Sequence, residues 1–420
     1  MNPLAVRDFR LLSAGQLAST IGDFCYAIAL PWYVLSSHGS AVLLGVVLAF
    51  YGVPRTALIP VGGVLSDRLS PRTVMLLADA SRCVMVAVLV LLATRHTVSL
   101  VFLAPTAALI GAGEGLFIPA SFAILPSMLD PSQLTSGNGL FMAFQQTGSL
   151  IGPAIGGAVV ALASPAPAFG IDAASFAVSA LTLAFIRRPA AVSAPEPEPA
   201  SEPAARSGGV LSLLRNSRVL QILLIITVAA NLALAGLTEV ALPALSHQRF
   251  GASGFGVLLT CDAAGGIAGA LAATRFGGLR RPAVVAAGAF MLAAIAMCFV
   301  PFAGGVPGAA VCMVALGGGV SFGNTIMLPR LQAWAPPELL GRVMSLVMLA
   351  AFGSAPLSFA LTGLFVAHVS SAAFFPVVGI ADAIVFLGGL AFPQWRNFGA
   401  PVHDNEVPPL AVESEAGSVN

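Results

Sequence analysis

Apolar residues run through this chain in long blocks, separated by short polar turns. A helix needs about 20 apolar residues to cross a hydrocarbon core. Twelve blocks meet that length, over residues 11–36, 41–65, 73–94, 99–126, 137–162, 167–186, 218–246, 254–275, 283–302, 307–330, 342–367 and 371–392. Each is predicted to be a membrane helix. Glycine and proline are frequent inside them, which membrane helices tolerate because neighbours satisfy the freed backbone groups. The first block exceeds the roughly 7–15 apolar residues of a signal peptide and lacks a clear cleavage site, so it is expected to stay as the first helix.

The polar turns fix an orientation. Loops on the cytoplasmic side carry the excess of basic residues. With both termini inside, fifteen arginines fall in cytoplasmic segments and only Arg95 and Arg249 in outer loops. One polar stretch is longer than the rest. Residues 187–216, including APEPEPASEPAARSGG, cannot bury a core and are predicted to be a cytoplasmic linker. It separates an N-terminal six-helix bundle (1–186) from a C-terminal one (217–395), and a polar, acidic tail (396–420) is expected to be disordered and cytoplasmic.

The two halves echo each other. LPSMLDPSQL follows the fourth block and LPRLQAWAPPEL follows the tenth, about two hundred residues apart. Each leads into a helix with a proline near its middle, Pro153 or Pro356. Parallel repeats of this kind are one mark of transporters, with the site at the repeat interface near the bilayer midplane.

Composition agrees with a chain that scarcely meets water. It is 57% hydrophobic and 9% charged, against about 25% charged in soluble domains. The net charge of +1 gives no case for nucleic acid. Every basic residue is arginine; lysine is absent. The five cysteines lie in apolar blocks without metal-ligand spacing and read as packing residues. No phosphate-binding GxxxxGK[ST] loop occurs. The histidines fall in loops or the tail, and no nucleophile–base arrangement is legible. An enzyme is therefore not expected, nor a metal or cofactor.

Between the second and third blocks the chain reads GGVLSDRLSPR. Gly63 would let two helices approach closely, and Asp67 can meet the positive end of a helix dipole. Gly63, Asp67, Arg68 and Arg72 resemble motif A of the major facilitator superfamily. Ser70 and Pro71 depart from it, standing where the family often has glycine and a basic residue. The expected partner of Asp67 is the start of helix 11, close to Arg342. In the fifth block, GSLIGPAIGG places Gly148, Gly152, Pro153, Gly156 and Gly157 as in motif C, which is associated with proton-exchanging exporters of that superfamily. FIPASFAILPSMLDPSQLTSGNGL, AFGIDAASFAVSALTLAFIRRP and LQAWAPPELLGRVMSL resemble the branch that holds drug, macrolide and enterobactin-type siderophore exporters. The resemblance covers most of the chain. It implies an all-α membrane protein of twelve transmembrane helices in two pseudo-symmetric six-helix bundles.

An ionisable residue inside a membrane helix is costly and marks a candidate functional site. At 1.5 Å per residue, Asp23, Arg55 and Glu114 lie roughly 15–18 Å from the cytoplasmic ends of helices 1, 2 and 4, near the midplane. The resemblance implies that these helices border a central cavity, so the three are expected to cluster. Burial disfavours an ionised carboxylate and a nearby guanidinium favours it. Moving Arg55 away would therefore let Asp23 or Glu114 take a proton. The competing reading is a static salt bridge between the three helices. Glu239 and Asp262 are further proton or substrate candidates, with Asn231, Asn324, Gln145 and Gln146 as polar support. Asp79, Arg82, Asp172 and Asp382 lie on helices that the resemblance makes peripheral, where structural roles are expected. Trp32, Tyr33, Phe50 and Tyr51 fit an interfacial belt.

The resemblance thus implies a monomeric bacterial inner-membrane antiporter that exchanges protons for an amphipathic drug, macrolide or siderophore by alternating access. A nutrient uniporter or importer of the same fold, or a non-transporting membrane sensor, are the other readings. Beyond the small-molecule substrate, protons and the lipid bilayer, no partner is expected.

Overall fold

In the computed structural model, residues 3–37, 39–187, 214–215, 217–276, 281–336 and 339–399 are described. Most of the expected linker (188–213 and 216) and most of the expected tail (400–420) lie outside them. A helix stands over each predicted apolar block: α1 (Arg7–Ser36), α2 (Ala41–Leu69), α3 (Pro71–Thr94), α4 (Leu100–Ala123), α5 (Leu134–Leu162), α6 (Pro165–Phe185), α7 (Arg218–Arg249), α8 (Gly251–Ala273), α9 (Pro282–Phe302), α10 (Val306–Trp334), α11 (Leu340–His368) and α12 (Ser371–Leu390). A short turn, Pro393–Arg396, follows. No strand occurs among the described residues. Ten of the helices are long and apolar enough to cross a membrane. The other two, α1 and α5, have 30 and 29 residues but are more polar.

Local chemistry sets the helix ends. Ser40, Ser217 and Ser370 accept backbone N–H groups from Leu43, Leu220 and Ala373 at 3.0–3.2 Å, which satisfies donors otherwise orphaned at a helix start. Helices α3, α6 and α9 begin with proline, whose missing N–H is not needed there. The carbonyls that close α6 are taken by arginine: Arg72 donates to Leu183 and Ala184, both at 2.7 Å. A cation is favoured at that end of the helix dipole.

Two helices depart from regular winding. In α7, Leu237–Ala241 forms a π turn, a rare element concentrated at functional sites. In α11, helix stops at Phe352 and resumes at Ala355. Pro356 lacks the N–H that would otherwise bond the Phe352 carbonyl. That carbonyl lies 3.4 Å from the Thr56 hydroxyl of α2, which donates to it.

Helices α1–α6 pack mainly on one another, as do α7–α12. The two sets meet chiefly along α2–α11 and α5–α8. Glycines allow backbone to approach backbone at these seams. Gly45 faces Phe359 and Gly363, and Gly157 faces Ala252 and Gly256. All four contacts lie toward the end of the molecule that carries the α1–α2 turn. There too, Ser36 meets His247 at 3.0 Å and Trp32 stacks on Phe255. Toward the opposite end the same helix faces part. A Cβ placed on Gly63 of α2 or Gly139 of α5 would meet nothing within 4 Å, and Leu349 of α11 is exposed. Large apolar side chains such as Leu91, Val101, Leu162, Val311 and Ile384 are exposed, as lipid-facing surfaces require.

Candidate functional site

A cavity of about 310 Å³ opens between the two sets of helices. Its polar lining comprises Asp23, Tyr26, Tyr51, Arg55, Arg82, Glu114 and Asp172. Glu239 joins them from α7, on the π turn.

Helix α2 holds Glu114 by both carboxylate oxygens. Arg55 Nε lies 3.0 Å from Oε1, and the Tyr51 hydroxyl donates to Oε2. Tyr51 and Arg55 are one helical turn apart, so they share a face of α2. On α4, Gly111 packs on the Tyr51 backbone and Gly115 on the Arg55 backbone. These glycines bracket Glu114 and bring the two helices close enough for both contacts. The pair is not sealed from the cavity: about a quarter of each side chain is exposed, 24% for Arg55 and 25% for Glu114. Arg55 also touches the other set of helices. Its guanidinium carbon lies 5.5 Å from the centre of the Phe352 ring, within range of a cation–π attraction.

Asp23 lines the same cavity but makes no ion pair with Arg55. The expected three-membered cluster is thus an Arg55–Glu114 pair with Asp23 beside it. The purely structural role expected for the acids and arginine of helices 3 and 6 needs correction, because the side chains of Arg82 and Asp172 reach the cavity. Asp79 and Arg82, three residues apart on one face of α3, form an ion pair. Asp79 is fully buried, and its second oxygen accepts from Ser179 at 2.6 Å. The Arg82 guanidinium lies between the rings of Phe117 (4.6 Å) and Phe176 (4.3 Å). A long side chain on an outer helix can therefore place its charge at the centre.

Asp262 sits elsewhere. It lines a second cavity, of about 260 Å³, where Gln146 and Ser149 of α5 face α7, α8 and α10. Its Oδ1 is buried without a hydrogen-bond partner. Asn231 and Asn324 line a third cavity, of about 210 Å³, together with Asp382. Gln145 is half-buried and lines none of the three.

The glycine motifs divide their work. Gly148, Gly152 and Gly156 receive Thr20, Phe24 and Cys25 of α1, while Gly157 faces α8 across the seam; Pro153, beside them, presents its carbonyl to Gly256. Within α2, Gly62 rather than Gly63 is the position of close approach, packing on Leu116 and Pro119 of α4. Asp67 and Arg68 are exposed, and Asp67 makes no ion pair among the described residues. Ser70 takes a φ of 87°, the backbone region that glycine occupies most easily. The aromatic belt is also corrected. Phe50 is exposed, whereas Tyr33 is buried, Trp32 packs on His247 and Tyr51 turns to Glu114.

The roles of Tyr51, Gly111, Gly115 and Phe352 were not read from the sequence. The i, i+4 spacing of Gly111 and Gly115 around an intramembrane glutamate was the available signal. Nothing in the sequence marked Phe352. Chemically, the main cavity offers carboxylates and guanidiniums that can exchange partners, within apolar and aromatic walls.

The profile of the Major Facilitator Superfamily matches residues 12–357. The chain is 26% identical over 370 residues to the multidrug efflux pump Tap of Mycolicibacterium fortuitum, covering 86% of this chain and 88% of that protein. It is 23% identical to macrolide efflux protein A of Streptococcus pyogenes, covering 80% and 84%. Among solved structures, its fold resembles that of a POT family transporter bound to 5-aminolevulinic acid, with a TM-score of 0.74, 14% identity and coverage of 92% and 96%. A bacterial homologue of the iron transporter ferroportin, in an inward-facing state, superposes with a TM-score of 0.67, 15% identity and coverage of 91% and 98%.

Proposed function

The chain belongs to the Major Facilitator Superfamily and is a multi-pass membrane transporter of small molecules, and we propose that it is a proton-coupled antiporter exporting an amphipathic compound such as a drug, macrolide or siderophore. The named activities of the multidrug and macrolide efflux relatives support the substrate class. On this reading all twelve helices cross the bacterial inner membrane, with both termini cytoplasmic. They form two six-helix bundles (1–186 and 217–395), joined by the 187–216 linker and followed by the cytoplasmic tail (396–420), and the protein acts as a monomer.

The observation that carries the reading is the Arg55–Glu114 pair, open to a cavity between the halves and touched by Phe352 from the opposite half. With the termini inside, the present contacts close the outer side and leave the cytoplasmic side open. Substrate enters from the cytoplasm or inner leaflet. When the halves rock, α11 moves against α2 and Phe352 leaves Arg55. The guanidinium then shifts from Glu114 toward Asp23, Asp172 or Glu239, and Glu114 takes a proton from the outer side. Substrate binding from the cytoplasm selects the form in which Glu114 is unprotonated and paired with Arg55, so the proton leaves to the cytoplasm, Arg55 returns and the carrier is reset.

Gly63 and the Asp67–Arg68–Arg72 turn belong to the second half of this cycle. Gly63 lies on the face of α2 that continues from Gly45, Gly52 and Thr56 toward α11. It is open here and becomes a close contact when the cytoplasmic side shuts, bringing Asp67 to the start of α11 near Arg342. Asp262 forms a second polar station on the substrate route.

The test is uptake of a radiolabelled macrolide by inverted membrane vesicles, with and without an imposed pH gradient. Uptake that needs an acidic interior and collapses with a protonophore is expected. Uptake indifferent to the gradient would replace antiport with facilitated diffusion.

A further inference from the structure

We infer that the C-terminal set of helices contains a second ligand site, distinct from the central cavity, that binds a small protonated aromatic amine at Asp382. The site is the 210 Å³ cavity enclosed by α7, α9, α10 and α12. Asp382 is 8% exposed and lines it. Its carboxylate has neither an ion pair nor a hydrogen bond among the described residues. A buried carboxylate without a partner is expensive inside a membrane protein. A ligand that supplies a cation offsets that cost.

The walls narrow the ligand. Among the described residues Asp382 is the sole titratable group lining the cavity, so no guanidinium or imidazole of theirs neutralises it there, and an anionic ligand would meet repulsion. The polar remainder is uncharged: Thr227, Asn231 and Asn324. Asn231 donates its amide N–H to the Thr227 carbonyl at 2.9 Å, which leaves its oxygen to accept from an ammonium group. The rest of the lining is apolar, and it includes the rings of Phe290 and Phe386, stacked at 5.0 Å, and Trp395. One carboxylate, amide acceptors and aromatic walls suit an amine on a small ring. An inorganic cation would instead need a shell of oxygen ligands.

The site is also reachable. Asn324 is exposed. Leu234, Leu316 and Val320 belong to the walls of both this cavity and the Asp262 cavity. A ligand at Asp382 is thus one layer of side chains away from the space between the halves.

The full chain in lipid nanodiscs, titrated with phenethylamine by calorimetry, tests the proposal. 3-Phenylpropanol and 3-phenylpropionate serve as the neutral and anionic counterparts. Phenethylamine is expected to bind, the propionate not to bind, and Asp382→Asn to weaken the amine by at least about tenfold, as loss of a charge-assisted hydrogen bond requires. If Asp382→Asn fails to fold, Asn324→Leu decides, with a loss of about fivefold expected from one hydrogen bond. The proposal is overturned if phenethylamine does not bind, if the propionate binds equally well, or if affinity is unchanged in the folded variant. It is overturned equally if the loss occurs only in Asp23→Asn, which would place the amine in the central cavity.

Discussion

Arg55 Nε lies 3.0 Å from Glu114 Oε1, on helices whose backbones meet at Gly111 and Gly115. The pair is a quarter exposed, and Phe352 of the opposite half lies over the guanidinium. A charge pair placed this way can report the relative position of the two halves.

Arg55→Ala would leave Glu114 without its cation, and Glu114→Gln would leave Arg55 without its anion. Each single change is expected to destabilise the protein by about 1–3 kcal/mol, less than for a fully buried pair because solvent reaches both groups. The double variant should recover part of the loss, giving a coupling energy of about 1–2 kcal/mol in a thermal-unfolding cycle. Additive losses would show that the pair does not interact.

The Asp79–Arg82–Ser179 group is expected to behave differently. Asp79 is fully buried and bonded to both partners. Asp79→Ala removes the anion from a buried cation and should cost about 3–5 kcal/mol. Ser179→Ala should cost about 1 kcal/mol. Yield and melting temperature of the purified variants check the order. Full stability in Asp79→Ala would mean that the group does not hold α3 to α6.

How much of this was legible in the sequence follows from what each signal reports. Block length placed the helices, and midplane depth brought Arg55 and Glu114 to one level, because both depend only on rise per residue. Helix rotation and side-chain reach are not in that arithmetic. Depth alone put Tyr51 in an outer belt, whereas rotation of α2 turns it to Glu114. Helix order alone made Arg82 and Asp172 peripheral, whereas their side chains enter the cavity. The neighbouring glycines Gly62 and Gly63 differ by one step around α2, and only the packing of α4 shows which of them is pressed in this conformation.

Ser70 holds a φ of 87° while its hydroxyl accepts from Thr73 N at 3.4 Å. Glycine removes a backbone strain of about 1–3 kcal/mol and gives up a weak cap of a few tenths. Ser70→Gly is therefore expected to raise the melting temperature. A fall would show that the serine cap outweighs the strain.

Two glycine substitutions should trap opposite states. Gly157→Leu places a side chain where Ala252 and Gly256 stand, and should disfavour the conformation described here. A Cβ on Gly63 meets nothing within 4 Å here, so Gly63→Leu should leave this conformation intact while blocking closure of that end. Both should lose transport. Accessibility of cysteines introduced along the cavity, read with a membrane-impermeant thiol reagent from each side, should change in opposite directions. The same change in both would exclude opposed closure of the two ends.

The most direct test of the central claim is proton release from purified protein in weakly buffered detergent solution on adding substrate, followed with a pH indicator. A macrolide or cationic dye that binds the wild type serves as the probe. The account predicts release from the wild type and none from Glu114→Gln, whose amide carries no exchangeable acid proton, with binding retained in both. Equal release from the two would take the proton away from Glu114, and binding without release in the wild type would contradict exchange of substrate for protons.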